Sequence, residues 1–533
     1  MSLNRAPSRS TSEARRGPRV GFLAAYMNNA YEWDIWRGVR GAVEEQGGTV
    51  VCFAGSGLGD PDPEHRARAT LFNLVHAWNV DALLCLTSVI SPHAGIQGME
   101  DWALARGLPV CSIGPAERIP SVSIDDAAGI GQLMSHLIEH HGHRRIAFIK
   151  GAELNQEAQH RLVAYEQALG AHGLAFDPKL VLNGDFTTES GSRAIRELFD
   201  QRQVPIGALD AVVACNDYMA FGAADEFVRR RISVPDQVAV VGFDDIAPAR
   251  VHSPPLTTIR QPLEELGRAG ARHLLDLLAK RAPSGPATLG TELVLRRSCG
   301  CVPTSRFVLP EAAEESAAAL EGSARAVLRN ALEAELHGEP GAFAFALEPI
   351  LRDVASTGST EFDAGRRFAD DFCTRMRLVG NDVVYERLTR LARVLHTKMF
   401  GPQAHLSTAL AEHLPSFDID ECAVSELLPE SATNGSLTKL KLAFGFDSTT
   451  LQPQMATFDG HELVPPSFQG LRRRSVFVMP LTCGPQPLGI AVVPAAQLDG
   501  GFYETLAELF ATVLKVLEVR RGTVQSPAAR ARS

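Results

Sequence analysis

From Arg19 onward, short apolar runs alternate with amphipathic stretches: RVGFLAAY, WDIWRGVRGAVEEQG, TVVCFAG, a helical stretch to HAWNV, DALLCLTS, then ALARG and PVCSIG. An apolar run with no polar face, followed by a segment of helical period, marks a parallel strand covered by helices on both sides. Repeated β-α-β units are therefore predicted. In the first helical stretch Ile35, Val39 and Val43 share a face, and Gly47-Gly48 closes it. A second series begins after Ile119: GIGQLMSHLIEHHGH leads to RIAFIKG, HRLVAYEQALGAHG to LVLNGDF, AIRELFDQRQ to DAVVACND, and MAFGAADEFVRRR to VAVVGFDD. The reading is two successive doubly wound, parallel-sheet α/β lobes.

The chain is long enough for more than these lobes. Its 533 residues suggest two to four domains. With 45% apolar and 21% charged residues it can bury ordinary cores, which excludes global disorder. Lys+Arg number 52 against 62 Asp+Glu, a net charge of −10, where a nucleic-acid binder usually carries a basic surplus. No run approaches the ~18 consecutive apolar residues of a membrane span, and the opening MSLNRAPSRSTSEARRGPRV lacks an apolar export stretch. A cytoplasmic protein without a membrane partner is expected, with residues 1–18 a disordered tail. The nine cysteines are odd in number and mostly sit in apolar runs (Cys52, Cys85, Cys111, Cys215), as reduced core thiols do.

Ligands of open α/β sheets bind beyond the carboxyl ends of the strands. The residues there are polar or aromatic: Tyr26-Met27-Asn28-Asn29, Ser56, Thr87-Ser88, Asn216-Asp217 and Asp244-Asp245. Polar loops, helix capping by Asp244 and Asp245, and an inter-helix salt bridge from Arg161 are the ordinary explanations. Recurrence at so many strand ends favours a cleft. Tyr31, Trp33 and Trp36 read more readily as helix core than as stacking platforms, with Trp33, near the loop, the one assigned to a ligand.

Four ordered strings carry a family resemblance: IDDAAGIGQLMSHLIEHHGHRRIAFIKG (124–151), HRLVAYEQAL (160–169), VVACNDYMAFGA (212–223) and VPDQVAVVGFDDIAPARVHSPPLTTIRQPLEELGRAGARHLLDLL (234–278). Residues 19–304 resemble the effector-binding core of the LacI/GalR repressor family, which shares its fold with type I periplasmic sugar-binding proteins. The resemblance implies an N-terminal lobe of about 19–121 and 262–287, a C-terminal lobe of about 122–261 and 288–304, and three crossings near 120–123, 258–262 and 286–290. It places Asn216, Asp244, Arg161 and Gln261 at effector-contact positions, with Tyr26, Asn28, Asn29, Trp33 and Asp126 as further pocket positions. Ser88 joins them from its place after the third strand. Carboxylate, guanidinium and amide groups around an aromatic face suit a polyhydroxylated or heterocyclic ligand, whose burial couples binding to closure. A homodimer is expected.

The chain departs from the family at both ends. Only 18 residues precede the first strand, where repressors carry a helix-turn-helix, so Arg5, Arg9, Arg15 and Arg16 offer phosphate attraction without sequence reading. Direct sequence-specific DNA binding is not expected. Beyond the core, residues 310–398 turn rich in Ala, Leu, Glu and Arg and read as a helical connector. Residues 400–523 read as an α+β domain: strands CAVSELL and LKLAFGFD, a strand pair around Gly484-Pro485, and a final helix with Phe502, Leu506, Leu509, Phe510, Val513 and Leu517 on one face. This resembles the end of a GAF-type sensor domain, followed by a disordered tail at 524–533.

No phosphate loop, H-E-x-x-H helix or G-x-S-x-G elbow occurs, and neither catalysis nor a cofactor is expected. Cys299 and Cys301 form a C-x-C with no Cys/His pair following at metal-ligand spacing, and His140-His141-Gly142-His143 reads as a structural turn, so no metal is expected. The S-C-G-C ending resembles that of sensors fused to signalling modules. The reading is a non-catalytic sensor that binds a small sugar-like metabolite between two lobes and relays closure to a signalling or DNA-binding partner. The alternatives are a DNA-binding transcriptional regulator of the LacI family and, third, a solute-binding protein for transport.

Overall fold

The computed structural model describes residues 17–301 except 284 and 286, residues 391, 394 and 395, and residues 403–525 except 429–438, 447–456, 460–461, 466 and 497–499. Nearly all of the expected tails at 1–18 and 524–533 and of the connector at 310–398 lie outside the described residues.

The N-terminal lobe is built from β1 (Arg19–Ala24), α1 (Ala30–Glu45), β2 (Thr49–Ala54), α2 (Pro63–Ala69), β3 (Ala82–Leu86), α3 (Thr87–Ile90), α4 (Gly95–Leu104), β4 (Val110–Ile113) and β5 (Ser121–Ile124). The C-terminal lobe follows with α5 (Asp126–Ser135), β6 (Ile146–Lys150), α6 (Gln156–Ala171), β7 (Val181–Asn183), α7 (Thr188–Arg196), β8 (Ala211–Ala214), α8 (Asp217–Arg229), β9 (Ala239–Val241), α9 (Pro248–Val251) and β10 (Thr258–Arg260). The chain then returns to the first lobe with α10 (Leu263–Leu278) and β11 (Thr288–Leu289), and crosses back to β12 (Glu292–Val294). One lobe's parallel strands run β11-β5-β4-β3-β1-β2 and the other's run β7-β6-β8-β9, with β10 and β12 antiparallel beside the latter. This is the type I periplasmic-binding-like α/β architecture. Burial is complete along β2, β3, β4 and β8 apart from Thr49 at the start of β2, as strands covered on both faces require.

Helix α10 is tied to the first lobe by a backbone crossing with α1. A Cβ on Gly38 would sit 1.9 Å from the Glu264 carbonyl oxygen, and one on Gly267 2.1 Å from that of Ile35. Only hydrogen fits at either place. Gly267→Ala would gain about 1 kcal/mol in helix propensity, but forcing two packed helices apart costs roughly 1–3 kcal/mol. A net loss of about 1–2 kcal/mol is expected in urea unfolding; a variant as stable as the parent would show that the helices do not cross this closely.

The remaining described elements are α11 (Gln403–His413), β13 (Cys422–Leu427), β14 (Lys439–Phe446), β15 (Thr457–Asp459), β16 (Val476–Cys483), β17 (Gln486–Pro494) and α12 (Gly500–Gln525). The strands form an antiparallel sheet in the order β16-β17-β13-β14-β15, and α11 and α12 pack on it. Gly484, at φ 54, supplies the left-handed residue of the two-residue turn between β16 and β17. Phe502, Leu506, Phe510, Val513 and Leu517 of α12 are buried and Leu509 is partly so.

This unit is welded to the N-terminal lobe. Strand β16 pairs in parallel with β2, Val476 opposite Val51, Phe477 opposite Cys52 and Val478 opposite Phe53, so eleven strands form one continuous sheet. Ser475 Oγ accepts from the Val50 amide at 3.1 Å and donates to Glu44 at 2.7 Å. Arg68 donates to both Glu504 carboxylate oxygens, at 3.0 and 2.9 Å. Phe477 sits among Trp36, Trp33 and Tyr503, its ring centroid 4.8, 5.9 and 4.3 Å from theirs. Phe53, Phe72 and Leu83 on one side share a core with Leu440, Phe468 and Val478 on the other.

Candidate ligand cavity between the lobes

Helix starts dominate the space between the lobes. Asn29 caps α1, Asn155 caps α6, Thr187 caps α7 and Asn216 caps α8, each accepting a first-turn amide with its side-chain oxygen. In parallel α/β lobes the carboxyl ends of strands and the amino ends of helices lie on the same side, so four partially positive helix ends converge there. They border a cavity of about 330 Å³, near the small end of the roughly 300–1,000 Å³ span of small-molecule sites. Asn29, Ser88, Asn155, Glu157, Arg161 and Asn216 line it together with Asp244, Thr187 and Thr188, while Tyr31, Tyr218, Phe186 and Val89 give it apolar walls.

Arg161 anchors the floor. It is 2% exposed, donates to Asp126 at 2.6 Å and to the Cys215 carbonyl at 2.7 Å, lies 3.6 Å from Glu157, and has its guanidinium 3.9 Å from the centre of the Phe243 ring. Burial works against its charge, but the carboxylates of Asp126, Glu157 and Asp244 prevail and hold it above the ordinary arginine range. Asp244 accepts from Gln261 Nε2 at 2.6 Å. Its φ of 127 and that of Asp245, 57, bend the chain after β9 so that the two carboxylates part. Asp244 reaches the cavity, whereas Asp245 pairs with Arg260 at 2.7 Å and with Arg296. Beneath them Asp217 accepts from the Ile246 amide at 3.0 Å and the Thr258 hydroxyl at 2.6 Å, tying the bend to β10.

Three carboxylates surround a single arginine in a buried space, and two of them, Glu157 and Asp244, are shifted by it. Burial, reinforced by the neighbouring Asp126, pushes Glu157 up to about 7. Asp244 is likewise raised to about 7 by burial, with Arg161 and Gln261 opposing. Both therefore exchange protons near neutrality. Across the cleft Asn155 Nδ2 donates to the Ser88 carbonyl at 2.8 Å and the Tyr218 hydroxyl hydrogen-bonds the Ala30 backbone, holding the lobes face to face.

Of the sequence-predicted positions, Asn29, Ser88, Arg161, Asn216 and Asp244 line this one cavity, and Asp126 and Gln261 sit directly behind Arg161 and Asp244. Gln261 Oε1 is buried with no hydrogen-bond partner among the described residues. Tyr26, Asn28 and Trp33 do not line it. The Tyr26 hydroxyl meets Ser56 at 3.2 Å and its ring lies under Arg68 near the seam, and Asn28 is exposed. Trp33 stacks on Phe477 instead. Two helical residues two places apart point about 200° away from each other, so when Tyr31 faces the cavity Trp33 must face away. Tyr31, read as core, is a wall of the cavity, and its hydroxyl meets Ser88 at 3.2 Å. Asn155, Glu157, Phe186, Thr187, Thr188 and Tyr218 were not singled out; for Asn155 and Thr187 the available signal was an N-cap residue ahead of an amphipathic run.

Among the described residues, the His, Cys and carboxylate groups close enough together to hold a metal are His136, His141, Cys299 and Cys301, none of which lines the cavity. No described helix is long and apolar enough to cross a membrane.

The family of periplasmic binding protein-like domains matches residues 134–299. The chain is 32% identical over 271 residues to the HTH-type transcriptional repressor CytR of Escherichia coli (strain K12), covering 51% of this chain and 76% of that protein. It is 40% identical over 185 residues to the HTH-type transcriptional regulator CelR of Thermobifida fusca, covering 34% and 53%. To the HTH-type transcriptional repressor PurR of Klebsiella pneumoniae (strain 342) it is 30% identical over 283 residues, covering 52% and 79%.

Proposed function

The chain belongs to the LacI/GalR family, and from that premise we propose that it is a cytoplasmic, non-catalytic sensor whose lobes close on a small sugar-like metabolite and pass the closure to a partner. The observation that carries this is the convergence of Arg161, Asp244 and Asn216 on one buried cavity walled by Tyr31, Tyr218 and Phe186. Carboxylates accept the hydroxyl protons of a sugar, the guanidinium donates to its ring or hydroxyl oxygens, and aromatic walls cover its C–H faces. The seam fixes the C-terminal unit to the N-terminal lobe, so closure displaces the C-terminal lobe relative to that joint body. The C-terminal unit is assigned as a GAF-like relay.

Proton release gives a test that is specific to this geometry. Hydroxyls donating to Asp244 and Glu157 favour their ionised forms and pull both down from about 7. Binding should therefore expel protons near neutrality, and affinity should rise with pH through this range, by up to tenfold per pH unit for each proton released. Titration calorimetry across pentoses, hexoses, disaccharides and nucleosides, in two buffers of different ionisation enthalpy at pH 6.5, checks both points. A folded protein that binds nothing in the panel removes the reading, and a binder with no buffer dependence removes the role of the carboxylates.

Direct transcriptional regulation is the second reading, favoured by the HTH-type regulators among the relatives. A gel shift on the gene's upstream region distinguishes it, since phosphate attraction alone disappears as salt is raised.

A further inference from the structure

The histidine-rich turn is not an ordinary helix end. Helix α5 runs on into a π-helical turn, His136–His140. An α-helix places residues three and four apart on one face, whereas the wider π turn, with its i→i+5 bonds, brings residues four and five apart toward one face, and five is the separation of His136 and His141. Their Nε2 atoms lie 3.2 Å from each other. From the far end of the effector core, a 3-10 turn at Arg297–Cys299 and a left-handed Gly300 at φ 98 bring up two thiols. Cys299 Sγ lies 3.6 Å from His136 Nε2, and Cys301 Sγ lies 3.4 Å from the Nε2 of both His136 and His141. All four atoms fall within 4.8 Å of one another.

Those spacings have a chemical meaning. Zinc bonds of about 2.3 Å to sulfur and 2.0–2.1 Å to nitrogen, arranged tetrahedrally, give ligand-to-ligand edges of roughly 3.3–3.8 Å. Four of the six separations run from 3.2 to 3.6 Å and none exceeds 4.8 Å, so small side-chain adjustments close the group around an ion. The Thr257 hydroxyl lies 3.1 Å from Cys299 Sγ, placed to donate to a thiolate there. His140 stacks on His136 and His143 on His141, which hold the two ligating rings in orientation. No Cys/His pair follows Cys301 at ligand spacing in the sequence; the fold supplies one from before it.

We propose that His136, His141, Cys299 and Cys301 form a closed Cys2His2 site for zinc. With four protein ligands and no open position its role is structural. It fastens the last turn of the effector core, from which the chain leads to its remaining segments, to the end of α5 in the C-terminal lobe.

The test uses the full chain, purified through a tag that binds no metal and without chelator. Elemental analysis should find one zinc per chain. Replacement by cobalt(II) should produce the visible bands of a tetrahedral ion together with a thiolate charge-transfer band. C299S/C301S should lose the metal, while C483S, at an exposed cysteine outside the group, should keep it. Chelation should lower the melting temperature by several degrees, with recovery on adding zinc. Because the cobalt spectrum is read on the unaltered protein, misfolding of the double variant does not protect the proposal. Folded, reduced protein that takes up no zinc and gives no cobalt bands overturns it, as does metal retained by C299S/C301S.

Discussion

Arg161→Met is expected to lose about 3–5 kcal/mol of stability in urea unfolding, the usual result of removing one partner from a buried ionic group, and to bind ligand at least tenfold more weakly. The side chain is 2% exposed and compensates Asp126, Glu157 and Asp244. Methionine fills most of the volume but leaves three carboxylates facing a helix-lined void with no cation. The pH dependence separates charge from packing. Glu157 and Asp244 already hold protons up to about 7, and without the arginine they hold them to still higher pH. The deficit should therefore be smaller at pH 6, where they are neutral, and larger at pH 8, where ionisation is forced. Arg161→Lys should recover only part of the loss, since an ammonium cannot span Asp126 and the Cys215 carbonyl as the planar fork does. A variant within about 0.5 kcal/mol of the parent, the ordinary scatter of surface substitutions, would falsify the placement of this residue.

Phe477→Ala is the second large effect. Phe477 is 1% exposed and meets three aromatic rings, from α1 and α12. Truncating a buried phenylalanine costs about 3–5 kcal/mol, and here the loss falls on the joint between two units. Hydrogen exchange should accelerate selectively at the β2 amides that face β16, while β1 and β3, paired within the lobe, keep their protection. Uniform acceleration would mean that the ring supports the whole fold; unchanged exchange at β2 would mean that the strands do not pair.

The two lobes were legible because periodicity is local. Apolar runs such as ALLCL and AVVA, each bounded by helix-period segments, state their own strand character and, by being apolar on both faces, their parallel and covered setting. The cavity was half legible for the same reason: strand ends identified Ser88, Asn216 and Asp244, since those positions follow directly from where a run stops. What escaped were residues fixed by helix phase. Tyr31 and Trp33 carry equivalent chemistry in the sequence, and only the rotation of α1 decides that one meets the cavity and the other Phe477.

The seam was illegible as a pairing because its strands are far apart in the chain; the Val50 amide and Ser475, which bond across it, are 425 positions apart. One sign was available. An edge strand usually carries a charge or a proline against unwanted pairing, and TVVCFA carries neither. A strand so unguarded implies that something covers its edge. The histidine and cysteine group was hidden in a different way, because a spacing of five is unproductive on an α-helix and becomes productive only through the π turn.

Because both sides of the β2 and β16 seam are supplied by one polypeptide, its strength does not follow mass action. Diluting the protein a thousandfold should leave its melting temperature unmoved at this joint, whereas the same strands contributed by separate molecules would come apart. Self-association, where it occurs, must therefore use some other surface, and the sticky rim of the first sheet is withdrawn from the solution the moment the chain finishes folding.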